Sequence, residues 1–188
     1  MTTLPPTTMR RARLAALLLS AAALVGCAGP QVQDYAAETP RLDLREYFSG
    51  DLIAHGLFTD RAGAVKRRFT VRMKAHWQGD DGVLEEDFLY SDGQTERRVW
   101  QLTRLPDGRY SGRAADVIGS ADGESAGNAL RWRYTLMLPV AGTTYAMAFD
   151  DWMFLIDGCT MINRASMRKF GIELGQVTLM FRKRTCAP

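Results

Sequence analysis

Along several stretches of this chain, apolar and polar residues alternate one for one. Phe69, Val71, Met73, Ala75 and Trp77 fall on one side of an extended backbone, with Thr70, Arg72, Lys74 and His76 on the other. A period of two marks a half-buried strand and excludes an amphipathic helix, whose period is 3.6. Trp132, Tyr134, Leu136 and Leu138 alternate in the same way with Arg131, Arg133 and Thr135, as do Val177, Leu179 and Phe181 with Gln176, Thr178 and Arg182. Asp-Gly, a strong hairpin signal because both residues tolerate positive φ, occurs at 81–82, 92–93, 107–108, 122–123 and 157–158. Further breaks lie at Asp60–Gly63, Ala141-Gly142 and Gly171–Gly175. This spacing predicts an all-β domain, a single antiparallel up-and-down meander of roughly eight to ten strands. Closing it into a barrel removes the exposed edges. Asn163–Phe170 is the one segment read as a turn or two of helix.

The Asp92-Gly93 turn allows two registers. A two-residue turn sets Phe88 opposite Arg97. A three-residue loop with a bulge sets Phe88 opposite Arg98 and Leu84 opposite Leu102. The second is preferred because it puts Trp100 and Leu102 on the side of Leu84 and Phe88, whereas a one-residue slip scatters the apolar set.

The amino end follows a different logic. Arg10, Arg11 and Arg13 precede an apolar run from Leu14 to Val25, which is too short to span a bilayer. The run ends at Leu24-Val25-Gly26-Cys27, which resembles the lipobox of bacterial lipoproteins. Residues 1–26 are therefore expected to be an export signal, with Met1 or Met9 as the start, and Cys27 the acylated first residue of the mature chain. Two or more acyl chains give stable anchoring where one is marginal. Ala28 is not the aspartate associated with inner-membrane retention, so the expected location is the periplasmic side of the cell envelope, at the outer membrane. The polar, Pro-containing stretch 28–44 reads as a tether. The expected organisation is signal 1–26, anchor and tether 27–46, and barrel 47–188.

The chain carries 24 Lys+Arg and 21 Asp+Glu. The three leader arginines account for the whole excess, so the mature part is formally neutral. Nucleic-acid binding needs a basic face, and none is expected. With Cys27 consumed by the anchor, Cys159 and Cys186 remain. In an oxidising compartment they pair, or they stay as two unpaired thiols, one buried and one on the tail; sequence leaves both open.

Gly123-Glu124-Ser125-Ala126-Gly127 matches the G-x-S-x-G nucleophile elbow, but a strand rather than a helix follows. Both histidines, His55 and His76, precede the serine, and the motif places its histidine later in the chain. It reads as a loop of small residues. No spacing of His, Cys or acids calls for a metal or another cofactor. Asp116, Ser120, Asp122 and Glu124 share a Gly-containing loop without EF-hand spacing.

Charges among apolar positions are the candidate site. Glu86 shares strand parity with Leu84 and Phe88, and Arg98 with Trp100 and Leu102. Asp150, Asp151 and Trp152 interrupt the apolar run Tyr145–Ile156, and Asn163 and Arg164 follow Met161-Ile162. A buried charge is costly unless paired, so inward carboxylates are expected to meet inward arginines. With Trp77, Trp100, Trp132 and Trp152, these residues form either structural ion pairs or a polar patch for the head group of a lipid-like ligand such as a fatty acid. Three functions remain open. The leading one is a non-enzymatic binding module. The others are a structural or assembly lipoprotein with a protein partner, and a lipid-acting enzyme using Glu86 or Asp150/Asp151 as acid or base.

Several segments together resemble one family. Glu86-Asp87-Phe88-Leu89-Tyr90-Ser91-Asp92-Gly93, Arg97-Arg98-Val99-Trp100, Gly127 to Tyr134, Phe149-Asp150-Asp151-Trp152-Met153 and Met161-Ile162-Asn163-Arg164 resemble the domain of unknown function 3833 family of bacterial lipoproteins, over about residues 47–184. The resemblance implies a lipocalin-like (calycin-like) barrel and carries no established activity.

Overall fold

The computed structural model describes residues 29–140 and 142–186; Cys27 and the expected signal 1–26 lie outside the described residues. Ten strands follow one another: β1 (Gly50–Asp60), β2 (Val65–Gln78), β3 (Asp81–Tyr90), β4 (Thr95–Arg104), β5 (Tyr110–Arg113), β6 (Ala121–Ala126), β7 (Ala129–Val140), β8 (Thr143–Leu155), β9 (Thr160–Lys169) and β10 (Ile172–Lys183). Each pairs antiparallel with its sequence neighbours, and β1 pairs with β10, so the sheet closes into an up-and-down barrel. Among the described residues no helix is long and apolar enough to cross a membrane.

The alternation dictates which side chains fill the interior. Val71, Met73 and Ala75 of β2, Trp132 and Leu136 of β7, and Phe181 of β10 are buried, while Arg72, Lys74, Arg133 and Arg182 are exposed. Outside, arginines and acids pair across strands. Arg97 reaches Asp87 at 2.7 Å and Glu85 at 3.0 Å, and Arg133 reaches Asp122 and Glu124 at 2.9 and 2.7 Å. Exposed pairs of this kind contribute about 0–1 kcal/mol each, so the apolar interior sets stability.

Four expectations need correction. Asn163–Phe170 is not helical. Asn163, Ala165 and Met167 point inward at period two from β9, and Phe170 is a turn residue at φ 51°, 92% exposed. The β3–β4 register is neither of those considered: Glu86 faces Arg98, and Phe88 faces Glu96. Gly93, at φ 84°, closes a turn in which its N–H donates to the Tyr90 carbonyl at 3.0 Å. The three-residue loop therefore starts at Ser91, and the shift of two residues from the preferred register leaves every side chain on its expected face.

Two Asp-Gly pairs lie in strands rather than turns. Gly82 and Gly123 sit beneath the indoles of Trp77 and Trp132, and a β-carbon at either would collide with the ring. Glycine here makes room for a tryptophan inside the barrel, and the motif Gly123–Gly127 becomes a hairpin.

The segment expected to be a tether is packed, and the compact domain starts at Val32 rather than 47. After a 3-10 turn (Val32–Tyr35), Leu42 donates its N–H to the Gly127 carbonyl at 2.8 Å. Gly127, at φ 54°, has the Tyr35 carbonyl against it, which leaves no room for a side chain. A short helix α1 (Leu44–Tyr47) follows. Asp43 caps it, accepting from the N–H groups of Arg45 and Glu46 at 2.9 and 3.1 Å. Leu44, Tyr47 and Phe48, at helical spacing i, i+3, i+4, are all buried. They close one end of the barrel. Trp77 Nε1 donates to the Phe48 carbonyl at 2.8 Å, and the Tyr47 hydroxyl sits 3.1 Å from the carbonyls of both Cys159 and Phe181. The same end carries a Cys159–Cys186 disulfide, Cα–Cα 5.9 Å, so the paired alternative is the one found.

Candidate functional site

Above the floor of Leu44 and Phe48 the interior is hollow. The cavity measures about 510 Å³, within the roughly 300–1,000 Å³ of small-molecule sites. Its walls are overwhelmingly apolar, among them Val71, Leu84, Trp100, Trp132, Met147 and Leu179. The far end is lined by Phe58, Tyr90, Leu138 and Leu174, all partly exposed, and Arg67 there stacks 3.4 Å from the Tyr90 ring. Among the described residues no helix lies over that end.

Two polar groups interrupt the apolar wall. The first rests on β3 and β4, where register places Glu86 opposite Arg98. Arg98 Nη1 lies 3.8 Å from Glu86 Oε2, and Trp100 Nε1 donates to the same oxygen at 3.2 Å. The rest of the guanidinium is also engaged. Nε and Nη2 reach Asp116 at 2.9 and 2.8 Å, and Nη2 reaches Glu96 at 3.0 Å. Burial works against the Arg98 charge, but these carboxylates outweigh it and hold its pKa above the ordinary value. Asp116 gets there because the β5–β6 connection folds back on β7 through a Val117–Leu136 bridge.

The second group sits on β7, β8 and β9. Asp151 Oδ2 accepts from Asn163 Nδ2 at 3.2 Å and from the Tyr134 hydroxyl at 3.4 Å. The Tyr134 ring stacks on Phe149 and meets Trp100 edge-on, which ties the two groups together. Asp151 is 5% exposed and Asn163 2%. Asp151 Oδ1 and Asn163 Oδ1 are both buried without a hydrogen-bond partner. Asp151 thus departs from the expectation that an inward carboxylate meets an arginine; its partners are an amide and a phenol.

Of the residues singled out from sequence, Glu86, Arg98, Trp100, Trp132, Asp151 and Asn163 line the cavity. Asp150, Trp152 and Arg164 do not. They face outward because strand parity puts Asp151 and Asn163 inside. Asp150 takes a bidentate contact from Arg131 at 2.7 Å on the outer surface. Trp152 lies under Tyr35 and beside Phe154, and Arg164 donates to Gln176 at 3.0 Å. Trp77 lies at the floor. Sequence reasoning missed Tyr134 as a site residue, although it had placed the side chain inward. It also missed Asp116 as a partner of Arg98. No three His, Cys or acidic side chains among the described residues cluster as a metal site.

Burial raises the carboxyls of both Glu86 and Asp151 to about 7, in Glu86 against the opposing pull of Arg98 and Trp100. Unfolded, both titrate near 4. The folded chain therefore binds more protons than the unfolded chain between about pH 4 and 7. The stability this confers is complete below pH 4 and is lost as the pH rises through 7. Asp151→Asn keeps the shape without the charge, so it should flatten that slope. In urea denaturation it is expected to be near-neutral at pH 4.5. At pH 8 it should stabilise by a few kcal/mol, on the scale of about 1.4 kcal/mol per tenfold change in proton affinity. An unchanged slope would mean that Asp151 is already ionised in the fold.

Comparison with solved structures agrees with this architecture. The chain is similar to an S-type phycobiliprotein lyase from Guillardia theta, with 7% identity, TM-score 0.52, and coverage of 84% of this chain and 100% of that one. It also matches a de novo designed fluorescence-activating β-barrel (14% identity, TM-score 0.39, 76% and 99% covered) and lobster apocrustacyanin A1 (18%, 0.38, 86% and 73%). The first of these likenesses speaks to the fold alone, a closed antiparallel β-barrel. None of the curated proteins matches the chain. Residues 21–183, which include all ten strands of the barrel, match the family described as protein of unknown function (DUF3833), and the chain belongs to that family.

Proposed function

We propose that the barrel is a binding module that holds one small apolar or amphipathic, lipid-like molecule in its interior, and that a lipid on Cys27 tethers it to the cell envelope, on the periplasmic side at the outer membrane. The half-enclosed apolar cavity of about 510 Å³ carries the first part of this reading. Trp100 and Trp132 line that cavity without filling it, which weighs against a purely structural interior. The leader pattern ending at Cys27 supports the second part.

The test of binding uses the full chain with a fluorescent apolar probe, and native mass spectrometry of protein purified from its own host. Trp100 and Trp132 are at the wall, so probe uptake should quench tryptophan emission in a saturable, one-to-one titration. A chain that neither takes up the probe nor carries a co-purified molecule would refute the reading. The anchor is tested separately, since a Cys27→Ala chain should leave the membrane fraction.

One observation favours a second reading, an enzyme acting on a lipid. Two buried carboxyls raised to about 7 face the cavity, the condition expected of a general acid or base near neutral pH. Asp151 is the better placed, because its Oδ1 is uncommitted. A co-purified lipid that changes mass with the native chain and not with Asp151→Asn would favour it.

A further inference from the structure

The distribution of donors and acceptors in the cavity says what kind of head group it accepts. A carboxylate or phosphate needs donors or positive charge. Arg67 lines only the open end, where it pairs with Asp92 and Gln94, and the cation beside the two polar groups is Arg98. Its guanidinium already contacts Asp116, Glu96 and Glu86. An anion entering beside it would meet three carboxylates and, across Tyr134, a fourth in Asp151. The Trp100 indole, the Tyr134 hydroxyl and one N–H of the Asn163 amide are likewise spent on Glu86 and Asp151. Within the two polar groups, the atoms buried without a hydrogen-bond partner are both acceptors, Asp151 Oδ1 and Asn163 Oδ1, on adjacent strands and on residues that line the cavity. A buried acceptor left unmatched costs about 1–3 kcal/mol, which a ligand donor at that point recovers. An ammonium, although these carboxylates attract it, pays the desolvation of a full ion, which a hydroxyl or an amide N–H does not.

We propose, resting on the ligand-binding reading above, that the cavity selects an uncharged amphiphile whose head group donates hydrogen bonds, a hydroxyl or an amide N–H, to Asp151 Oδ1 and Asn163 Oδ1, and that it disfavours fatty-acid carboxylates. The apolar wall receives the chain, and the two acceptors fix the depth of the head group beside Tyr134. This narrows the fatty-acid expectation drawn from sequence to neutral derivatives such as alcohols, monoacylglycerols and amides.

Three probes of equal chain length separate the possibilities: 1-monolauroylglycerol (neutral, two hydroxyl donors), methyl laurate (neutral, no donor) and dodecanoate (anionic). Each is titrated below its micelle concentration against the full chain at pH 7.5, reading tryptophan emission. Monolauroylglycerol should bind about tenfold or more tighter than either of the others, as expected for matching one buried acceptor. Asp151→Leu, or Asn163→Leu where the first does not fold, should bring monolauroylglycerol and methyl laurate within about threefold of each other. Dodecanoate binding as tightly as monolauroylglycerol to the native chain overturns the inference and leaves ligand binding standing. Preference persisting in a folded variant overturns the assignment of the acceptors. Binding of none of the three removes the ligand-binding reading itself.

Discussion

Arg98→Met should destabilise the barrel by about 3–5 kcal/mol at pH 8, the range for removing one partner of a buried ion pair. In a domain of this size each kcal/mol lowers Tm by about 2–4 °C, so the loss is plain in a thermal melt. Glu96 and Asp116 are partly exposed and can turn to water, but Glu86 cannot. It must stay buried with only the Trp100 indole or take up a proton. Its pKa, already raised to about 7 by burial, then rises further, and the defect should shrink at pH 5, where Glu86 is neutral in either protein. Arg98→Lys should restore little, because one ammonium cannot reach Asp116, Glu96 and Glu86 together. The double variant Arg98→Met/Glu86→Leu should recover much of the loss, since a buried apolar pair replaces a buried ionic one at little cost. If the double variant is as unstable as the single one, the arginine matters through packing and not through charge.

Phe48→Ala is expected to cost about 3–5 kcal/mol, as large-to-small changes at fully buried aromatics do, and to change the cavity itself. Phe48 is 3% exposed and meets Phe181 and Tyr47 edge-on at 5.6 and 5.4 Å. Its removal loosens the plug and admits water from below. Acrylamide quenching of tryptophan should rise along with the fall in Tm, and a bound apolar probe should leave faster. Leu136→Ala, also buried but nearer the far end of the wall and in a separate apolar cluster, serves as the control that lowers Tm without opening the floor. Equal quenching in the two variants would show that α1 does not seal the barrel.

Much of this was written in the local pattern. Strand identity and facing came through wherever period two ran unbroken, which is why β2, β7 and β10 were placed correctly, and why Glu86 and Arg98 were recognised as inward. Parity was also available for β8: Met147, Phe149, Met153 and Leu155 point inward and carry Asp151 with them. Asp150 and Trp152 were misassigned because adjacent polar residues in an apolar run draw attention as a group, although successive side chains of a strand face opposite ways. Arg164 fails in the same way beside Asn163. The packing of 32–48 was harder to see. The Asp43–Glu46 cap and the Leu44, Tyr47, Phe48 spacing mark a helical turn, yet no local feature says that the turn closes a barrel in which Tyr47 meets carbonyls more than a hundred residues later. The partnership of Asp116 with Arg98 is likewise a product of the closed sheet.

That closure also fixes an order of events. Of the ten described strands β1 is the first to be made and β10 the last, yet they are neighbours, with Leu52 opposite Lys183. Until the final residues arrive the sheet has two raw margins, and Tyr47 lacks the Phe181 carbonyl it is to reach. Contacts this remote in sequence belong to the slow class of folding, on the order of milliseconds to seconds. A chain made amino end first therefore has to be shielded from its siblings until β10 is complete, which makes the sealing of the β1–β10 seam the step most exposed to aggregation.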